Sequence, residues 1–236
     1  MSLTVFEWQA PGPYEVVFST RLGGVSEGPF ESLNLGRRTG DDVERVDENR
    51  RRLCSTIGAD EQQLALGYQT HSTMVNRAQA GSRGIPGDAL WTDEPGVPIL
   101  TLGADCVLMA LARVNGDEPA LAVLHAGWRG LADGIVEAAA GTLGGRLAAI
   151  VGPAIGPCCY EVGEDVAGRF RDRFGPGIVN RGKLDLWTAA ELAAREAGAT
   201  KVERLDLCTS CQADLFFSER RTGRPRGTQG VIGLVR

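Results

Sequence analysis

The sequence predicts a mixed α/β (α+β) fold in a single domain spanning residues 1–236. Three observations carry this expectation. Apolar runs of strand length alternate with segments of helical spacing, yet without the strict strand–helix–strand rhythm of a parallel sheet. Several strands follow one another directly. No repeat, low-complexity tract or linker divides the chain.

Tyr14–Ser19 reads as the first strand, followed by a glycine-rich loop from Arg21 to Gly36. Asp41 and Glu44 have the spacing of a capping box, and Val43, Val46, Leu53 and Ile57 recur at helical intervals until Gly58. Strands are expected at 64–69, 97–102, 107–112 and 120–124. A helix over 131–143 is weakened by Gly134 and Gly141. A buried strand at 147–151 leads into a turn-rich stretch. Helices over 164–174 and 186–197 and strands at 202–207 and 231–235 complete the chain.

Composition narrows the function classes. The 236 residues carry a formal net charge of −5, which argues against nucleic acid as a standing partner. Of the 25 basic residues only Lys183 and Lys201 are lysines, a bias we read as codon composition rather than anion binding. The N-terminal residues lack the pattern of a signal peptide, and no apolar run is long enough to span a bilayer. The expectation is a cytoplasmic protein with no membrane partner. Its six cysteines are then reduced thiols, metal ligands or nucleophiles rather than disulfides.

Histidine is scarce. The two present, His71 in Gln-Thr-His-Ser and His125 in His-Ala-Gly-Trp-Arg-Gly, flank Cys106 in Gly-Ala-Asp-Cys, with separations of 35 and 19 residues. Those intervals do not suit a zinc finger. They suit a catalytic zinc with three protein ligands and a fourth position for water or substrate, and both imidazole and thiolate are acceptable to zinc. Strand-end histidines that merely satisfy backbone carbonyls are the plain alternative. Asp88 and Asp105 are candidates to support a ligand or to exchange protons, although Asp105 equally suits a turn cap. Arg129, at the start of a helix, and Arg220, in a run of arginines, are candidates for holding an anion. Cys208 and Cys211 form a CxxC without a second CxxC, which leaves a structural zinc knuckle unsupported and favours two buried thiols at a strand-to-turn junction.

The motifs taken in order, Gln69–His71, Ala104–Cys106, His125–Gly130, Gly152–Gly163 and Phe216–Arg221, closely resemble the YfiH-like, laccase-domain family, as do Gly24–Ser26 and Ser32–Gly36. The resemblance spans nearly the whole chain and implies layered mixed sheets flanked by helices. It implies a zinc-dependent purine nucleoside phosphorylase, with adenosine deaminase and methylthioadenosine phosphorylase activities, acting on purine nucleosides and phosphate as a monomer or small homo-oligomer. Carried over by motif, the metal ligands fall on His71, Cys106 and His125. Cys106, His125 and Asp105 become the catalytic candidates, and Asn34, Asp88, Arg129 and Arg220 the substrate-binding ones. Ser72 stands where the family often has glycine, and Leu108 where it often has proline.

Three other chemistries compete. A metal-free thiol hydrolase would use Cys106 as nucleophile and His125 as base, leaving His71 idle. A laccase-like copper oxidase is disfavoured, because two histidines cannot furnish a multicopper cluster. The common zinc deaminase signature, His-x-Glu with Pro-Cys-x-x-Cys, is absent from the sequence.

Overall fold

The computed structural model describes residues 3–114 and 118–236, so Met1 and Ser2 of the N-terminal stretch lie outside the described residues. Two six-stranded sheets form its centre. The first runs β1 (Val5–Trp8), β2 (Tyr14–Ser19), β14 (Gln229–Val235), β7 (Ile99–Gly103), β3 (Ala65–Tyr68), β5 (Arg83–Pro86) in spatial order. The second runs β13 (Ala199–Arg204), β10 (Leu147–Val151), β8 (Val107–Arg113), β9 (Leu121–Ala126), β6 (Ala89–Thr92), β4 (Val75–Arg77). Each is mixed: β3 pairs in parallel with both β5 and β7, and β10 with β13, whereas β8 is antiparallel to β9 and β10. A short hairpin, β11 (Val179–Asn180) with β12 (Lys183–Leu184), lies apart. The mixed α/β class expected from the sequence is the class observed.

Period-two alternation explains why the central strands read as unbroken apolar runs. On β8, Leu108, Ala110 and Ala112 face the other sheet, while Val107, Met109 and Leu111 face the helices. Leu121 and Val123 of β9 and Ala148 and Ile150 of β10 join the inter-sheet core, against Val16, Phe18, Ile99 and Val231. A strand covered on both faces has no position left for a polar residue. The outer faces are closed by helices: α1 (Val43–Thr56) covers the first sheet, and α3 (Ile135–Leu143) and α5 (Leu186–Glu196) cover the second. Gly152, just past β10, meets Phe18 across the layer. A Cβ there would lie 2.2 Å from the Phe18 ring, so only glycine admits this approach.

Local boundaries differ from the sequence reading: the strand expected at 202–207 lies three residues earlier, as β13, and the one expected at 231–235 begins at Gln229. The α1 cap is Asp42, whose carboxylate accepts from the amides of Glu44 and Arg45; Asp41 accepts from the Asp42 amide instead. The helix expected over 131–143 is two helices, α2 (Trp128–Asp133) and α3, because Gly134 takes a left-handed conformation at φ +99°. Two further helices, α4 (Glu164–Phe174) and α6 (Glu219–Thr222), follow. None of the helices is long and apolar enough to cross a membrane among the described residues.

Candidate metal centre and its cavity

Three strand ends bring the scarce residues together. His71 lies in the loop after β3, Cys106 in the turn from β7 to β8, and His125 at the end of β9, directly opposite Leu108 in the ladder. Their sulfur and imidazole nitrogen ligand atoms all lie within 4.8 Å of one another, with His71 Nε2 3.8 Å from Cys106 Sγ. The imidazole rings meet edge to face, 4.9 Å between centroids.

A single carboxylate arranges this group. Asp88, fully buried, accepts through Oδ1 from His125 Nδ1 at 2.8 Å and from the His71 amide at 3.0 Å. Its Oδ2 accepts from the amides of Thr70 and Ser72 and from the Ser72 hydroxyl. Burial alone would raise the carboxyl, but these donors, His125 first, hold it far below the usual carboxylate range. An ionised Asp88 only accepts, so His125 Nδ1 carries a proton and Nε2 is the nitrogen that would face an ion. Ser72, where the family often has glycine, adds its hydroxyl to these donors, and the Thr70 hydroxyl lies 3.5 Å from the same oxygen. Gln69 fastens the same loop by exchanging hydrogen bonds with both backbone groups of Leu102 on β7.

The turn bearing Cys106 is strained. Asp105 has φ +89° and His71 φ +61°, left-handed values uncommon for residues with side chains. Burial would raise the Cys106 thiol, yet His125 and His71 pull it below its ordinary value. The reverse holds for His125, where burial lowers the imidazole and Cys106 and Asp88 more than restore it. Gly127 packs against the pair: a Cβ on it would come within 2.6 Å of His71 Cδ2 and 3.2 Å of Cys106 Sγ. A ligand set of two imidazoles and one readily ionised thiol, converging within one ion's reach, fits zinc chemically.

His71, Cys106 and His125 open into a cavity of about 710 Å³, within the roughly 300–1,000 Å³ of small-ligand pockets. Its walls include Arg38, Tyr68, Thr39 and Arg226. The Arg38 guanidinium stacks 4.0 Å from the Tyr68 ring and has no carboxylate partner among the described residues. By contrast Arg37 is tied to Asp47 and Arg226 to Glu219. Arg38 and Tyr68 were missed in the sequence, because neither lies in a motif that singles it out.

Five sequence candidates are not among the residues lining this cavity. Asp88 is sealed beneath the centre, as described. Asn34 is fully buried and spends its amide on Gly36, Thr39, Asp41 and Thr228, so it shapes the cavity wall without reaching the cavity. The Arg220 guanidinium donates to the carbonyls of Cys159 and Glu161, and the Arg129 guanidinium lies over Trp128; neither lines the cavity. Asp105, expected to act in catalysis, is 8% exposed and accepts from Thr209 Oγ1 and the Arg220 amide, which makes it a brace for the Cys106 turn.

A family model described as multi-copper polyphenol oxidoreductase laccase matches residues 15–235. The chain belongs to that family. Among relatives it is 37% identical over 240 residues to a purine nucleoside phosphorylase of Pseudomonas aeruginosa, covering 97% of this chain and 96% of the other. It is 33% identical to the purine nucleoside phosphorylase YfiH of Escherichia coli K12, covering 94% and 96%. Among solved structures it superposes on YlmD of Geobacillus stearothermophilus with a TM-score of 0.88 at 30% identity, covering 97% and 94% of the two chains. A Neisseria meningitidis protein of the family gives a TM-score of 0.87 at 32% identity, covering 100% and 99%.

Proposed function

We propose that this family member is a zinc-dependent purine nucleoside phosphorylase, with adenosine deamination and methylthioadenosine phosphorolysis as further activities of the same cavity. The observation that carries the proposal is the convergence of His71, Cys106 and His125 on one cavity that also presents an arginine without a carboxylate partner. Relatives at 33–37% identity over nearly the full chain are named purine nucleoside phosphorylases, which supports it.

Phosphorolysis joins phosphate to the ribose C1′ as the purine departs. Positive charge develops on the sugar and negative charge on the leaving base. The protein must hold the dianion beside C1′ and offset charge on the base. Arg38, positioned by its stacking on Tyr68, is our phosphate contact, replacing Arg129 and Arg220. Tyr68, half-exposed at the cavity wall, offers its remaining ring surface to the nucleoside. Asp88 keeps His71 and His125 aimed at a common point without touching substrate. His71, Cys106 and His125 would hold the zinc, which would supply a Lewis acid to this cavity. Copper oxidase chemistry is disfavoured, since the whole chain offers two histidines.

A metal-free thiol hydrolase draws support from one observation, the lowered Cys106 thiol beside a His125 that Asp88 orients. It assigns no task to His71. Incubating metal-quantified protein with adenosine, with and without phosphate, and identifying the products separates the readings. Phosphate-dependent release of adenine, lost in Cys106→Ala and His71→Ala together with the zinc, is the expected result. Undiminished turnover by Cys106→Ala refutes the proposal.

A further inference from the structure

A second group of sulfurs meets away from the cavity floor. Cys158 and Cys159 lie in the turn that follows β10, and Cys208 and Cys211 in the turn that follows β13. β10 and β13 are parallel neighbours, so these two turns leave the same end of the sheet side by side, and Ala154 bridges to Cys208. All four sulfurs lie within 4.8 Å of one another. Cys211 Sγ is 3.4 Å from Cys158 Sγ and 3.3 Å from Cys159 Sγ. The CxxC that lacks a second CxxC in the sequence thus finds its complement in an adjacent cysteine pair some fifty residues earlier, and Cys211 is exposed rather than buried.

We propose that Cys158, Cys159, Cys208 and Cys211 form a second metal site, taking a single thiophilic divalent cation, zinc, through four thiolates. Tetrahedral zinc at about 2.3 Å from each sulfur separates the sulfurs by about 3.8 Å, and the four here are already grouped on that scale. They stand too close to enclose an iron–sulfur cluster, whose own atoms hold its thiolates apart. They also stand well beyond the roughly 2.05 Å of a disulfide. Four protein ligands make a closed, structural site, unlike the three-ligand centre in the cavity.

The surroundings suit the anionic character of four thiolates around one divalent ion. The Gly156 amide donates to Cys208 Sγ at 3.3 Å. Lys183 donates to the Cys158 carbonyl, Arg220 to that of Cys159, and Arg221 to those of Thr209 and Ser210. Three cations therefore ring the two turns. Cys158 and Cys211 are exposed, which leaves a path for the ion. The site also has a structural reach. Thr209, between its two CxxC ligands, donates to Asp105 Oδ1 at 2.6 Å, and Asp105 precedes Cys106. An ion here braces the turn that presents Cys106.

The test is metal content and absorber geometry in the full chain. Wild type purified reduced and loaded with zinc is expected to hold two equivalents. Cys106→Ala is expected to retain one, and X-ray absorption at the zinc edge of that variant should show four sulfur neighbours at about 2.3 Å. Combining Cys106→Ala with Cys211→Ser should remove the remaining ion. Should that combination fail to fold, the absorption spectrum of Cys106→Ala alone decides the matter. No ion retained by Cys106→Ala, a retained ion with nitrogen neighbours, or any of the four cysteines found in a disulfide in the zinc-loaded protein overturns the proposal. Loss of phosphorolysis with two ions still bound would count against the proposed activity and leave this site standing.

Discussion

Asp88 Oδ1 accepts from both the His71 amide and His125 Nδ1, so one buried oxygen sets the positions of two candidate ligands that come from opposite sheets. Replacing Asp88 with Asn keeps the volume but removes the charge and turns one acceptor into a donor. Zinc affinity, measured by competition with a chromophoric chelator, is expected to fall by roughly 10–100-fold.

The same carboxyl gives a pH dependence. Its folded value lies far below the ~3.9 of an unfolded aspartate, so its contribution to stability is complete above that unfolded value. It is lost as pH falls from there through the depressed folded value, because the folded state must then take up a proton it resists. In metal-stripped protein the gap in thermal midpoint between wild type and Asp88→Asn is expected to be constant from about pH 6, below which the His125 contribution is complete, to about 5 and to narrow below about 4. A gap that widens on acidification would contradict this.

Gly127 tests the packing behind the centre. In Gly127→Ala the new methyl collides with the His71 ring, and zinc content after dialysis should fall sharply. Gly168, inside α4 with nothing within 4 Å of an added Cβ, is the control. Gly168→Ala should stabilise by about 0.5–1 kcal/mol, raising the midpoint by ~1–4 °C, with zinc content unchanged.

Arg38→Ala is expected to raise the KM for phosphate by roughly 10–100-fold, the worth of one or two charged hydrogen bonds. Arg38→Lys should recover part of the loss, since ammonium keeps the charge without the planar fork. Steady-state kinetics at varied phosphate decide this, and an unchanged KM removes Arg38 from the site.

Phe18, 1% exposed between the sheets, has Gly152 against its ring. Phe18→Ala should cost about 3–5 kcal/mol, because Gly152 brings no side chain to refill the space. Urea denaturation gives the value.

The strands and the ligand trio were legible in the sequence for separate reasons. Val107–Ala112 and Leu147–Val151 are apolar on both faces, and no helix competes for runs so short. His71 and His125 stood out by scarcity. Less visible were the edge strands: all four residues of β5 are exposed, so no burial pattern marks it. The capping shift from Asp41 to Asp42 is a one-residue choice between like carboxylates, settled by loop geometry. Asp88 and Asn34 were expected to bind substrate, but sequence carries no sign of burial, and the structure shows both buried with their polar atoms engaged by neighbouring backbone and side chains. Arg38 is one arginine among many, and what distinguishes it, its place on the cavity wall against Tyr68 with no carboxylate partner among the described residues, is visible only in the fold.

The turn Ala104–Cys106 is one of the places where the chain passes from the first sheet to the second, and it lies between a histidine anchored beside each. Any occupant bound jointly by those three residues therefore clasps the two halves of the sandwich at one rim. By mass action, its binding energy resists separation of the layers there. Amide exchange at the ends of β3, β8 and β9 should accordingly slow together when the centre is filled, while the far ends of the same strands keep their pace.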